Sequence, residues 1–266
     1  MDLLRQKQEQ LRQILRAHAP VLIAYSGGVD SAYLLAEAFH TLGALQMLGV
    51  IADSASLPRR ALSEALALAS RLGVPVEVVA TSELENPDYN QNPLNRCYFC
   101  KAELFGRLER LAGERGFRAL AYGENFDDLK QIRPGRLAAS EFSVLAPLRD
   151  AGLTKAEIRI LSREMDLPTA DAPSQPCLSS RIPHGTAVTV GALSMVESGE
   201  EWVRSLGFSV FRVRHMVQGD QKFVAKVQIA PEEMSGIEAV QSDLVSGLRA
   251  VGYAEVEIDP AGYRST

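Results

Sequence analysis

The feature that constrains this chain most is the run Val21-Leu22-Ile23-Ala24-Tyr25, followed directly by Ser26-Gly27-Gly28-Val29-Asp30-Ser31 and then a helical pattern to about Leu42. A short run that is apolar at every position has no polar face to offer water. It therefore reads as a strand buried on both sides, as in a parallel sheet covered by helices. Paired glycines after it let the backbone turn tightly around an anion without a Cβ clash. Successive N–H groups and the positive helix N-terminus then face that turn. Ser26 and Ser31 add hydroxyl donors, and Asp30 suits Mg2+ or a helix cap. The alternative is a plain strand-to-helix turn, which leaves most of the hexapeptide without a reason.

The same alternation continues. Leu3–His18, Arg59–Leu72, 101–115 and 155–165 read as helices, 46–52 as a second buried strand, and 74–80 and Ala119–Tyr122 as a third and a fourth strand. This predicts an α/β fold with a doubly wound parallel sheet, which binds ligands beyond the carboxyl ends of its strands. Asp53 and Ser54 follow the second strand; Gly123, Glu124, Asn125 and Asp128 follow the fourth. Asp53 and Asp128 read equally well as caps or turn residues. Pro173, Pro176 and Pro183 punctuate an irregular stretch, so a boundary is expected between 1–185 and a small α+β domain at 186–266. That domain reads helix, strand, strand, helix, strand, a pattern close to ferredoxin-like folds.

Composition narrows the partners. The net charge is −5 and the pI about 5.5. A protein that grips a long nucleic acid usually carries a basic surplus, so no nucleic-acid partner is expected. No apolar run approaches the roughly 18 residues of a membrane span, and the first residues are polar. A cytoplasmic enzyme with no membrane partner is the expectation.

The three cysteines, Cys97, Cys100 and Cys177, need a chemical reason. Cys97-Tyr98-Phe99-Cys100 precedes the helix that is expected from Lys101. Four readings compete: small buried hydrophobes, a redox pair, a zinc site short of a fourth ligand unless His184 supplies it, and an iron–sulfur cluster. The stretch Pro173-Ser174-Gln175-Pro176-Cys177-Leu178-Ser179-Ser180-Arg181-Ile182-Pro183-His184-Gly185 presents a thiol, hydroxyls and a guanidinium in one proline-framed loop. Arg181 there can hold Cys177 as thiolate or clamp a phosphate or carboxylate. Further on, Phe211-Arg212-Val213-Arg214-His215 alternates apolar and basic residues, putting Arg212 and Arg214 on one strand face. That face is either solvated or an anion clamp.

The loop Ser26 to Ser31 lacks the lysine of kinase-like phosphate loops and resembles that of the PP-loop ATP pyrophosphatases. With Gly123 to Asp128 and Pro176-Cys177-Leu178-Ser179-Ser180-Arg181-Ile182-Pro183, the chain resembles the LarE family over nearly its whole length. The resemblance implies a PP-loop, adenine nucleotide alpha hydrolase-like fold and an ATP-dependent sulfur transferase. Such an enzyme adenylates a carboxylate of pyridinium-3,5-biscarboxylic acid mononucleotide, and sulfur then replaces the activated oxygen, in nickel-pincer nucleotide cofactor biosynthesis. It implies ATP contacts from Ser26, Gly27, Gly28, Val29, Asp30, Ser31, Asp53, Ser54, Gly123 and Asn125. It implies catalytic roles for Asp30, Cys177, Ser180 and Arg181, and substrate or phosphate contacts from Arg212, Arg214, Glu200 and Glu201. ATP, Mg2+ and a [4Fe–4S] cluster on Cys97, Cys100 and Cys177 are the implied cofactors, and a homo-oligomer, as a hexamer, the implied assembly. Sacrifice of the Cys177 sulfur, and a tRNA thiolase, are the alternatives; the acidic balance counts against the second.

Overall fold

The computed structural model describes residues 3–130, 133–173, 176–219 and 222–263; Ser174 and Gln175 of the proline-framed loop lie outside them. In chain order the elements are α1 (Leu3–His18), β1 (Val21–Ala24), α2 (Val29–Leu42), β2 (Met47–Asp53), α3 (Arg59–Leu72), β3 (Val76–Ala80), α4 (Pro87–Asn90), α5 (Arg96–Arg115), β4 (Ala119–Tyr122), α6 (Gly135–Glu141), α7 (Pro147–Asp150), α8 (Lys155–Glu164), α9 (Val190–Ser205), β5 (Phe211–Gln218), β6 (Lys222–Ile229), α10 (Ile237–Val251) and β7 (Glu255–Ile258). They form two compact units, Met1–Glu83 with Asn95–Ala172, and Leu84–Leu94 with Pro173–Thr266.

The first unit is a PP-loop-like α/β layer. Its sheet has the order β3-β2-β1-β4 and every pair is parallel. The chain winds outward from β1 to β3, then returns to place β4 on the other side of β1, which makes the β1–β4 edge the switch point. Alternation along β1 divides the core as the sequence predicts. Val21 and Ile23 pack with Leu11, Leu15, Leu34, Leu35, Ile158 and Leu161. Leu22 and Ala24 face the other way, onto Phe105, Leu108 and Ala138. Each fully buried leucine contributes roughly 1.5–3 kcal/mol relative to an exposed one.

Helix α5 begins at Arg96, before its expected start at Lys101, so Cys97 and Cys100 lie inside it. Nothing between Arg96 and Lys101 breaks a helix, and the Tyr98 hydroxyl donates to Glu141 of α6 at 2.8 Å. The division between units also departs from the expected boundary after Gly185. It falls at Pro173, because the segment after Pro176 is bonded into the second unit, and Leu84–Leu94 goes with it. There Asn92, at φ 55°, donates its amide to the carbonyls of Ile182, Pro183 and Thr186 at 3.2, 2.8 and 3.0 Å.

The second unit has a three-stranded sheet of order β5-β6-β7, antiparallel then parallel, over a core that includes Val203, Phe211, Val213, Val227, Leu244 and Leu248. A ferredoxin-like sheet would need a fourth strand before α9. Among the described residues the stretch before α9 forms turns instead, held by Pro183 and by the Asn92 contacts. Among the described residues no helix is long and apolar enough to cross a membrane.

Candidate functional site

In the first unit the glycine loop joins β1 to α2. Gly27 takes φ 79°, and a Cβ there would lie 3.0 Å from the Cβ of Ala65. Gly28 is the N-cap of α2 and makes no side-chain cap. The first turn therefore offers uncapped N–H groups to an anion. The Ser31 hydroxyl accepts from the Ser26 N–H at 3.2 Å, donates to the Gly28 carbonyl at 3.0 Å and lies 3.0 Å from the Ser26 hydroxyl. Gly123, read from sequence as a ligand contact, has a steric reason to be glycine. A Cβ there would stand 2.8 Å from the Ser31 nitrogen, so the end of β4 abuts the loop directly.

Asp30 is the charged centre of this loop. Its Oδ2 takes the Lys155 ammonium at 2.6 Å. Its Oδ1 is buried and, among the described residues, has no hydrogen-bond partner. Burial pushes the carboxyl pKa up, with Lys155 opposing; the Asn125 amide also opposes it without reaching hydrogen-bonding geometry on Oδ1. A buried carboxylate oxygen with no donor suits a hard cation. Lys155 was not singled out from the sequence, although Thr154-Lys155-Ala156-Glu157 carries the capping-box signature that puts it on the first turn of α8.

The loop after β4 is a charged network. Glu124, buried, accepts from Arg136 and Arg149 at 2.8 Å each; burial pushes its pKa up, and Arg136, Tyr122 and Arg149 together outweigh that and hold it down. Asn125 Oδ1 accepts the N–H groups of Asp127 and Asp128 at 2.9 and 3.2 Å. The buried Asp128 pairs with Arg133 at 2.7 Å. Asn125 and Asp128 thus shape the loop, and the three arginines were not foreseen. After β2, Asp53 pairs with Arg59, while Ser54 joins Ser56, Glu83 and Thr81 in a buried chain of hydrogen bonds at 2.9 Å each.

Cys97 and Cys100 lie one turn apart on α5 and neither is in a disulfide, with Cys97 exposed and Cys100 half-buried. Spacing of three puts both on one face at the N-terminus of α5. Lys101 follows them, its stem buried against Gly135 and its ammonium 4.3 Å from the Tyr122 ring centroid. Burial lowers its pKa and Glu124 opposes that.

In the second unit Cys177 is a half-buried free thiol just before the short turn Leu178–Arg181. Arg181, expected as a clamp on a substrate anion, is instead buried with its fork on Glu200, at 2.8 and 2.9 Å. Its remaining nitrogen donates to the Pro176 and Cys177 carbonyls and the Ser180 hydroxyl. Ser180 donates to the Cys177 carbonyl at 2.7 Å, and Ser179 meets the Tyr89 hydroxyl at 2.7 Å. Glu200 also accepts the Val213 N–H at 3.2 Å, so it is a buried tie between α9 and β5, while Glu201 is an exposed partner of Arg204. Arg214 donates to the Ser180 carbonyl at 2.8 Å. Arg212 stacks 4.5 Å from the Tyr263 ring; burial lowers its pKa, and the neighbouring Arg181 and Arg214 add to that. The charge of Arg181 is offset by Glu200, so Arg212 and Arg214 carry the positive charge of this strand face. Within either unit, among the described residues, no three His, Cys, Asp or Glu side chains gather as a metal site requires.

No family model matches the chain. It is 30% identical over 266 residues to the pyridinium-3,5-bisthiocarboxylic acid mononucleotide synthase of Lactiplantibacillus plantarum, covering 100% of this chain and 94% of the relative. The chain belongs to the LarE family. It is therefore an enzyme by descent. An uncharacterized protein of Synechocystis sp. is 38% identical over 99% of this chain and 97% of its own length. One from Methanocaldococcus jannaschii is 26% identical over 92% and 91%. These matches run through both units.

Proposed function

We propose that the chain is an ATP-dependent sulfur transferase that converts a carboxylate of pyridinium-3,5-biscarboxylic acid mononucleotide to a thiocarboxylate. The observation that carries the ATP half is Asp30, a half-buried carboxylate whose Oδ1 is buried and, among the described residues, unpartnered, set in an uncapped glycine turn at the switch point of the sheet. The full-length likeness to a named bisthiocarboxylate synthase supports the sulfur half.

Carboxylate oxygen is a poor leaving group. A substrate carboxylate attacking the α-phosphate of ATP forms an O–P bond as pyrophosphate departs. Sulfur then forms a bond to the acyl carbon as AMP leaves, carrying the old carboxylate oxygen. Backbone N–H groups of the turn, with Ser26 and Ser31, suit the pyrophosphate portion, and Asp30 Oδ1 suits Mg2+. Arg212 and Arg214 suit the substrate's phosphate. Arg181 is a positioning residue that fixes the turn after Cys177 through Glu200.

The LarE likeness supports Cys97 and Cys100, one turn apart on α5, and Cys177 as the thiols that would hold an iron–sulfur cluster. Three thiolates would hold a [4Fe–4S] cluster and leave one iron able to carry sulfide. The test is an anaerobic assay with ATP and the biscarboxylate mononucleotide. Pyrophosphate release and a thiocarboxylate product are expected, with three-cysteine-dependent iron and an unchanged protein mass after turnover. Loss of hydrogen sulfide from Cys177 would instead mean that its own sulfur is consumed. Retained sulfur transfer in Cys177→Ala would overturn both routes.

A further inference from the structure

We infer that Glu83 is a positioning residue that, through Ser56, fixes the Ser54 hydroxyl as a hydrogen-bond acceptor, and that this makes the crevice select a purine with an amino group at C6 over one with a keto oxygen there. This rests on the ATP reading above and goes beyond it by assigning base selectivity to a buried carboxylate that need not touch the nucleotide.

Four side chains form one line across the ends of two strands. Ser54 follows β2 and Thr81 follows β3, and the Thr81 N–H donates to the Asp53 carbonyl at 3.1 Å. Glu83 is 2% exposed. Its Oε1 accepts from the Ser56 hydroxyl and its Oε2 from the Thr81 hydroxyl, at 2.9 Å each. Among the described residues it forms no ion pair, so these two hydroxyl protons are what offsets its burial. Ser56, 3% exposed, lies 2.9 Å from the Ser54 hydroxyl.

The line has a direction. A hydroxyl has one proton to give, and a carboxylate only accepts. Ser56 gives its proton to Glu83, so the contact between the two serines runs from Ser54 to Ser56. Ser54 thereby commits its own proton, and its oxygen faces the crevice with lone pairs alone. The Ser54 carbonyl is engaged by the Leu57 N–H at 3.1 Å and by Arg59 at 2.7 Å, so the acceptor it has left is the hydroxyl oxygen.

The loop that carries Ser54 borders the glycine turn. β1 pairs with β2, the Tyr25 N–H donates to the Val50 carbonyl at 2.8 Å, and Gly27 packs against Ala65 of α3, the helix that this loop enters. A nucleotide with its phosphates in the turn runs along the crevice beyond these strand ends. Adenine brings an amino donor to an acceptor. A keto purine brings an oxygen, and two acceptors then face each other with neither satisfied.

The test is calorimetric titration of the full chain with magnesium–ATP and with magnesium–inosine triphosphate, whose base carries the keto oxygen. Wild type should prefer ATP by roughly 10- to 100-fold, the range that an unsatisfied buried polar group sets. Ser56→Ala removes the hydroxyl that receives the Ser54 proton, so Ser54 is free to donate to the keto oxygen. The preference should shrink to about twofold or less, and inosine triphosphate should bind more tightly than to wild type. Glu83→Leu should do the same, because the Ser56 proton can then turn toward Ser54. A carboxylate that merely braced the fold would weaken both nucleotides alike and leave their ratio in place. A preference kept within about twofold of wild type in either folded variant overturns the inference while leaving the ATP reading intact. Equal binding of both nucleotides by wild type does the same. If Glu83→Leu does not fold, Ser56→Ala, which loses a single oxygen, decides alone. Wild type that binds neither nucleotide overturns the ATP reading as well.

Discussion

The Arg181 guanidinium forks onto the Glu200 carboxylate, with both side chains buried and Nε and Nη2 on separate oxygens at 2.8 and 2.9 Å. A bidentate pair out of water is costly to form and costlier to break, because removing one partner strands the other charge. Glu200→Ala should therefore destabilise the second unit by about 3–5 kcal/mol, read from urea unfolding. It should also loosen the turn after Cys177, since Arg181 also holds the Pro176 and Cys177 carbonyls. Faster alkylation of Cys177 would report that.

Gly123 touches the backbone of the glycine loop. Gly123→Ala would set a methyl group 2.8 Å from the Ser31 nitrogen, where only backbone can move aside. A cost of roughly 1–3 kcal/mol is expected. Because the displaced atoms are those of the α2 N-terminus, nucleotide titration should lose more affinity than the fall in Tm alone suggests.

Asn92 combines a left-handed backbone with three carbonyl contacts. Asn92→Gly removes the amide, leaves buried carbonyls unpaired and should cost about 1–3 kcal/mol. Asn92→Ala adds the strain of a Cβ at positive φ, about 1–2 kcal/mol more. Equal unfolding midpoints for the two variants would show that the backbone conformation is not a constraint.

His215 is buried against the Phe223 ring and 3.4 Å from the Tyr253 hydroxyl, and burial lowers its pKa from 6.5. The unfolded chain takes up a proton near the ordinary value and the folded chain resists it. Stability from this group is complete above pH 6.5 and is lost as pH falls below it. Chemical denaturation between pH 7.5 and 5 should show that decline, and His215→Phe should flatten it.

Much of the first unit was legible because its signals are local. Short runs rich in apolar residues gave the four parallel strands, with Glu77 on the part-exposed β3, and the helices from Leu3 and Arg59 begin and end where their periodicity says. The start of α5 was missed, because a C-x-x-C motif looks like loop chemistry while its residues tolerate a helix. Arg212 and Arg214 fall on one strand face as alternation requires.

The sequence by itself determined the glycine turn between β1 and α2, because a buried strand, a pair of glycines and a helix start leave the backbone few other paths. It also determined the family, through residues that run along the whole chain. Only the tertiary structure decided what each charge does. Lys155 reaches Asp30 from 125 residues away, and Arg181 finds Glu200 rather than an outside anion. Those pairings depend on which elements pack side by side, and buried charges take the nearest counter-charge because unpaired burial costs so much.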